Sequence, residues 1–241
     1  MSTRSTRILI VRLTFAGLVA ALGCGDSSTE PESPPYNPLL PTSWAPAVAN
    51  PFFLLVPGTR AEFEGQTAEG TETVVVEVLS DTRVVNGVTA TVVKDQVFLD
   101  GELIEDTVDW FAEDADGNVW YLGEYSQELE NGQVVSTEGS WEWGVDGALP
   151  GIIMWRDPSA HVGEEYRQEY YEEEAEDWGK VVALDQTVEV PFGTYTGCVQ
   201  IEEWNGLEEG GHEHKYYAPD VGVVLEVGGS ERLELVGLVT P

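Results

Sequence analysis

Thr82-Arg83-Val84-Val85-Asn86-Gly87-Val88-Thr89-Ala90-Thr91-Val92-Val93 decides the fold class. Two runs rich in β-branched residues flank Asn86-Gly87. A two-residue type I′ turn needs positive φ at both central positions, and Asn followed by Gly meets that demand at little steric cost. The same punctuation recurs along the chain. Asp100-Gly101 parts a run ending at Phe98 from one starting at Leu103, Asp116-Gly117 parts 108–112 from 119–121, and Asn131-Gly132 parts 125–129 from 134–136. Upstream, residues 71–79 (TETVVVEVL) alternate. Further strands are expected around 166–171, 181–190, 195–204, 212–217, 221–227 and 233–239. Turn signals spaced in this way describe an antiparallel meander and not βαβ units. The best helix candidate, 172–183, is weakened by Gly179 and the β-branched run after it. The expected fold is therefore all-β with at most a short helix: a single curved antiparallel meander sheet, a half-barrel or open barrel, over residues 58–241.

The N-terminus reads differently. Arg4, Arg7 and Arg12 make a basic lead with no acid, and residues 13–22 are an apolar run too short to cross a bilayer as a helix. The stretch Ala21-Leu22-Gly23-Cys24 resembles the end of a bacterial lipoprotein signal. Gly23 and Cys24 match. Ala21 stands where Leu is usual, and Leu22 sits one place late. The resemblance implies removal of residues 1–23 and lipid attachment at Cys24, anchoring the protein in the bacterial cell envelope, on the periplasmic or surface face of the outer membrane. Ordinary cleavage and secretion is the other reading of this segment. Residues 24–57 follow as a tether. Eight of the thirteen prolines lie between Pro31 and Pro57, so this stretch reads as extended chain. Its end, Pro51-Phe52-Phe53-Leu54-Leu55-Val56, is apolar enough to dock on the domain.

Composition bounds the partners. With 44 acidic and 11 basic residues the chain carries −33, and loss of residues 1–23 removes three arginines and no acid, giving −36. This excludes nucleic acid and weighs against anionic lipid surfaces, both of which are held by clustered Lys and Arg. The acids are spread over many strands and turns, so a self-repelling surface suited to a saline or divalent-rich exterior is expected. Eight Trp and nine Tyr leave ample material for a core.

Few patterns carry chemistry. The turn Glu113-Asp114-Ala115-Asp116-Gly117-Asn118 fails the calcium-loop spacing, with Gly fourth from Asp114 and Tyr125 twelfth, and reads as a reversal held by local side-chain hydrogen bonds. His212 and His214 share a strand face, a spacing that suits a two-imidazole Zn or Ca site if further ligands converge. Cys198 lies in an alternating run and reads as a small buried residue. No nucleophile elbow, phosphate loop or zincin motif is present, so no catalytic residue is assigned. Aromatic stretches are richer. Trp120, Leu122 and Glu124 are expected on one face, and Trp141 and Trp143 on another. Such aromatics either pack as the core of a β domain or, with Met154, Tyr166 and Tyr170, form the candidate lining of an apolar ligand site, and periodicity does not separate the two.

Three segments carry a resemblance: Gly117-Asn118-Val119-Trp120-Tyr121-Leu122-Gly123-Glu124, then Gly139 to Ala148 (GSWEWGVDGA) with Pro150-Gly151, then Glu213-His214-Lys215-Tyr216-Tyr217-Ala218-Pro219 with Val221-Gly222. Together they resemble a group of uncharacterised bacterial lipoproteins and secreted proteins, with Asp220 where that group tends to have Gly. More distantly the chain is similar to the LolA/LolB-like lipoprotein-carrier superfamily, which implies a curved half-barrel holding a lipid or acyl chain. The expectation is a cell-envelope lipoprotein of unknown activity, a non-enzymatic binder of an apolar or amphipathic small molecule or of an envelope protein. Alternatives are a divalent-cation-binding surface protein and an envelope hydrolase.

Overall fold

A computed structural model describes residues 36–207 and 210–241. The expected signal segment, Cys24 and the first part of the tether lie outside the described residues. In chain order the strands are β1 (Ala49–Asn50), β2 (Phe53–Leu54), β3 (Arg60–Gln66), β4 (Thr71–Val85), β5 (Val88–Leu99), β6 (Glu102–Glu113), β7 (Val119–Glu130), β8 (Gln133–Ser136) and β9 (Trp141–Glu142). They continue as β10 (Leu149–Met154), β11 (Glu165–Arg167), β12 (Glu169–Tyr170), β13 (Asp177–Val190), β14 (Gly193–Asn205), β15 (Glu213–Ala218), β16 (Gly222–Gly228) and β17 (Glu231–Val239). Among the described residues the helical structure is one 3-10 turn, Pro158–His161, capped by the Asp157 carboxylate. The helix weighed over 172–183 is absent. Residues 171–175 form a tight turn, closed by the Ala175 amide donating to the Tyr171 carbonyl at 2.8 Å, and β13 follows.

The turns behave as their residues require. Asn86 and Gly87, Asp100 and Gly101, and Asn131 and Gly132 all have positive φ. The hairpins they join stack laterally into one sheet of thirteen antiparallel strands, in the order β11-β13-β14-β15-β16-β17-β3-β4-β5-β6-β7-β10-β12, with β8 and β9 also pairing β7. The sheet is nearly closed into a barrel. Its two end strands, β11 and β12, are separated in sequence only by Gln168, so residues 165–170 form the seam. β12 holds β10 by two register pairs, and β11 holds β13 by three. At the seam, a Cβ on Gly151 would lie 2.4 Å from the backbone of Arg167 and Gln168, which explains glycine there.

The long strands of the sheet each turn one face inward. Phe53 packs on Phe111 at 5.1 Å and on Tyr217 at 6.4 Å, although β6 and β15 are six places apart in the sheet order. Those two rings therefore face each other across the interior, and Phe53 fills the space between them. Phe111 in turn stacks on Tyr121 at 4.8 Å. A second cluster joins Val188, Val190 and Cys198 of the β13–β14 hairpin to Phe63, Val74, Leu233 and Leu235.

Residues 36–57, inside the span expected to be a tether, dock on this barrel. Asn50 is fully buried, and its Nδ2 donates to the Gly117 and Trp155 carbonyls at 2.9 and 3.2 Å. The Asp220 amide donates to the Pro51 carbonyl at 2.6 Å. Asp220 takes φ 61°, a left-handed conformation that Asp tolerates better than most residues. Trp44 packs on Trp120 and Trp143. Leaving Trp44, Val48, Phe52 and Phe53 in water would cost more than ordering the proline-rich chain around them.

Candidate functional site

Parity along β7 decides which side chains meet. Strict alternation would put Trp120, Leu122 and Glu124 together. The structure corrects this. The register jumps between the pairs Trp110 with Gly123 and Phe111 with Tyr121, leaving Leu122 as an extra residue. Gly123 takes φ 137°, and a Cβ there would meet the Trp141 carbonyl at 2.5 Å. This bulge turns Glu124 to the inward face beside Asp109, its cross-strand partner, while Trp120 points outward.

Glu124 thereby joins a set of acids among the apolar side chains of the interior. Asp109, Glu124, Glu169, Asp177, Glu203 and Glu226 are all buried. Tyr121 donates to Asp109 Oδ1 at 2.6 Å, and Trp141 Nε1 donates to Glu169 Oε2 at 2.6 Å. Glu203 takes hydrogen bonds from Tyr217 and from the seam residue Gln168, both at 3.0 Å, and pairs with Lys215 Nζ at 2.6 Å. Lys215 is 1% exposed, with Glu213 Oε1 also 3.6 Å away. Burial pushes the Asp109 carboxyl up to about 7, against the opposing Tyr121 hydrogen bond. Burial, together with neighbouring acids, raises Glu124, Glu169, Asp177 and Glu226 well above the usual carboxylate range. The three nearby carboxylates hold Lys215 charged against its burial.

An open cleft of about 560 Å³ lies over the outward face of β5 to β7. Val92, Val108 and Trp110 line it with Tyr125, Trp141 and Val145. Arg83 and Glu142 sit at its edge, paired at 2.5 Å, with the guanidinium carbon 4.0 Å from the centre of the Trp110 ring. Val145 and Tyr125 are about half exposed. Glu124 and Ser140 complete the lining, so the surface is a shallow, mostly apolar depression with an ion pair and a few polar groups.

The six expected lining residues do not form one cavity. Trp141 meets both the interior, through Glu169 and Tyr121, and the cleft. Tyr166 lies over Gly179, where a Cβ would meet its ring at 2.8 Å. Met154, paired with Val119, is fully buried. Trp120 donates to Asp114, both Trp120 and Trp143 pack on Trp44, and Tyr170 packs on Tyr36 and lies 5.1 Å from the Arg167 guanidinium. Asp114 holds its turn as expected, accepting from the amides of Asp116 and Asn118 and from the side chains of Asn118 and Trp120, each at 2.9 Å.

His212 stacks on Trp204 at 5.1 Å with Nδ1 3.0 Å from Glu202, and His214 pairs in register with Glu202. Trp204 lies parallel to Trp178, which carries Arg167 on its other side at 4.1 Å, so the region is an outward stacked ladder. Among the described residues no group of three or more His, Cys, Asp or Glu is placed to hold a metal ion. Cys198 is fully buried.

No family model and no curated protein matches the chain. A solved structure of a lipoprotein candidate from Parabacteroides distasonis is similar over 78% of this chain and 98% of its own, at 11% identity and a TM-score of 0.42. At that level the likeness bears on neither fold nor function, which rest on this chain's own residues.

Proposed function

We propose that this is an exported, lipid-anchored cell-envelope protein that acts by binding, and that its ligand is an amphiphile with an uncharged or zwitterionic head. The observation that carries the ligand reading is the cleft over Val92, Val108 and Trp110, with the Arg83–Glu142 pair at its edge. Apolar chain buried there gains about 25 cal/mol per Å², and the ion pair offers one donor and one acceptor side to a head group. A strongly acidic exterior repels an anionic head, which favours a neutral or zwitterionic one. The Leu22-Gly23-Cys24 run supports the anchor.

The ligand reading is tested by following tryptophan fluorescence during titration with lysophosphatidylcholine below its micelle concentration. Saturable binding is expected for the wild type. Val108→Asp, which places a charge on the cleft floor, should weaken it about tenfold or more. No saturation, or equal binding by both proteins, overturns the reading. The anchor is tested separately: Cys24→Ala should move the protein from the membrane to the soluble fraction and abolish labelling by palmitate.

A further inference from the structure

The interior acids outnumber their cations. Glu169 is fully buried on β12, the two-residue strand that closes the seam. Its Oε2 is held by Trp141, and its Oε1 has no hydrogen-bond partner. Facing it are Asp177 from β13, Asp109 from β6 and Glu124 from β7, with Arg167 from β11 on the outer side. β10 brings no titratable group to it. Tyr121 lies beside Asp109 and supplies only a phenol. Asp109 Oδ2 and Asp177 Oδ1 are likewise buried without partners. The cations near them are committed elsewhere, Lys215 to Glu203 and Glu213, and Arg167 to the Glu176 carboxylate and carbonyl. Four ionised carboxylates cannot share a dry space with no dedicated counterion.

We propose that the barrel seam is a proton-held clasp: Glu169, with Asp109, Glu124 and Asp177 around it, closes the sheet only while these carboxyls stay protonated, and the seam loosens as pH rises above neutral. Protonated carboxyls carry no charge, so they can stay buried without a counterion, which the ionised set cannot. The seam is the place to yield, because β12 is held by only two register pairs. The sign is fixed by linkage. Acids raised in the folded state bind protons that the unfolded chain has released near pH 4, so stability is complete below that pH and is lost as pH rises through the folded values. Asp109 titrates at about 7 and the others above the usual carboxylate range. Surface carboxylates are already ionised at pH 7 and contribute nothing to a change between about pH 7 and 9.

Hydrogen exchange of the full chain is measured at about pH 7 and 9 in high salt, corrected for intrinsic rates. Protection over residues 165–171 should fall relative to the β4–β5 hairpin in the wild type, and Glu169→Gln should shrink that difference. A parallel fall in both regions, or an unchanged difference in the variant, overturns the proposal. If Glu169→Gln does not fold, the wild-type comparison decides alone: a seam-specific fall supports the clasp and its absence rejects it.

Discussion

Single positions carry much of the specification. Among the described residues Lys215 is the buried cation of the interior, set against Glu203 at 2.6 Å and Glu213 at 3.6 Å. Lys215→Met keeps the bulk and strands those carboxylates, so a loss of about 3–5 kcal/mol is expected in urea unfolding at neutral pH. Gly151→Ala drives a methyl into the Arg167–Gln168 backbone, which cannot rotate away, and should lower stability by about 1–3 kcal/mol. Cys198 is fully buried, and burial raises its thiol pKa, so it should react with a thiol reagent only as fast as the chain opens. Rapid labelling of the folded protein would contradict this. Residue-level reading succeeded where chemistry is local. The Asn-Gly and Asp-Gly turns and the Asp114 reversal depend on neighbours within a few positions. It failed at Gly123, because one bulge residue inverts the parity of everything after it. Alternation groups Glu124 with Trp120, whereas the bulge sets it beside Asp109, and no local pattern reveals that acids meet in the interior.

At the level of elements, the strand runs were legible because alternation and turn residues agree. The docked segment 36–57 was legible only at its apolar end, since proline content alone describes extended chain whether or not it lies on a surface. Phe53 bridges Phe111 and Tyr217 across the barrel, so Phe53→Ala should cost about 3–5 kcal/mol, read by thermal or denaturant unfolding. A loss below about 1 kcal/mol would show that the segment rests on the domain without supporting it. The candidate site was the least legible feature. The cleft is made by β5 to β7 and the 140–145 segment, whose approach is set by β9 pairing along β7. Sequence spacing records neither that approach nor the position of Arg83 over Trp110. Trp141 is the one expected lining residue found at the cleft.

For the whole molecule, acidity has two parts that respond differently to solvent. The outer charges repel through water, so raising monovalent salt from about 10 to 500 mM should raise the melting midpoint, and a flat response would contradict that reading. The inner carboxyls are shielded from salt. The barrel wall also has one junction unlike the rest: β3 meets β17, pairing residues 60–65 with 233–239. During synthesis or export, the edge of β3 stays open until the last strand emerges. An open edge is a template for pairing with another chain. Arg60, Glu62 and Glu64 alternate along that edge, where they guard an unfinished sheet. Charge at these positions is then expected to matter more while the sheet is incomplete than once it is closed. Replacing Glu62 and Glu64 with Val should leave the melting midpoint almost unchanged while lowering the yield of refolding at high concentration.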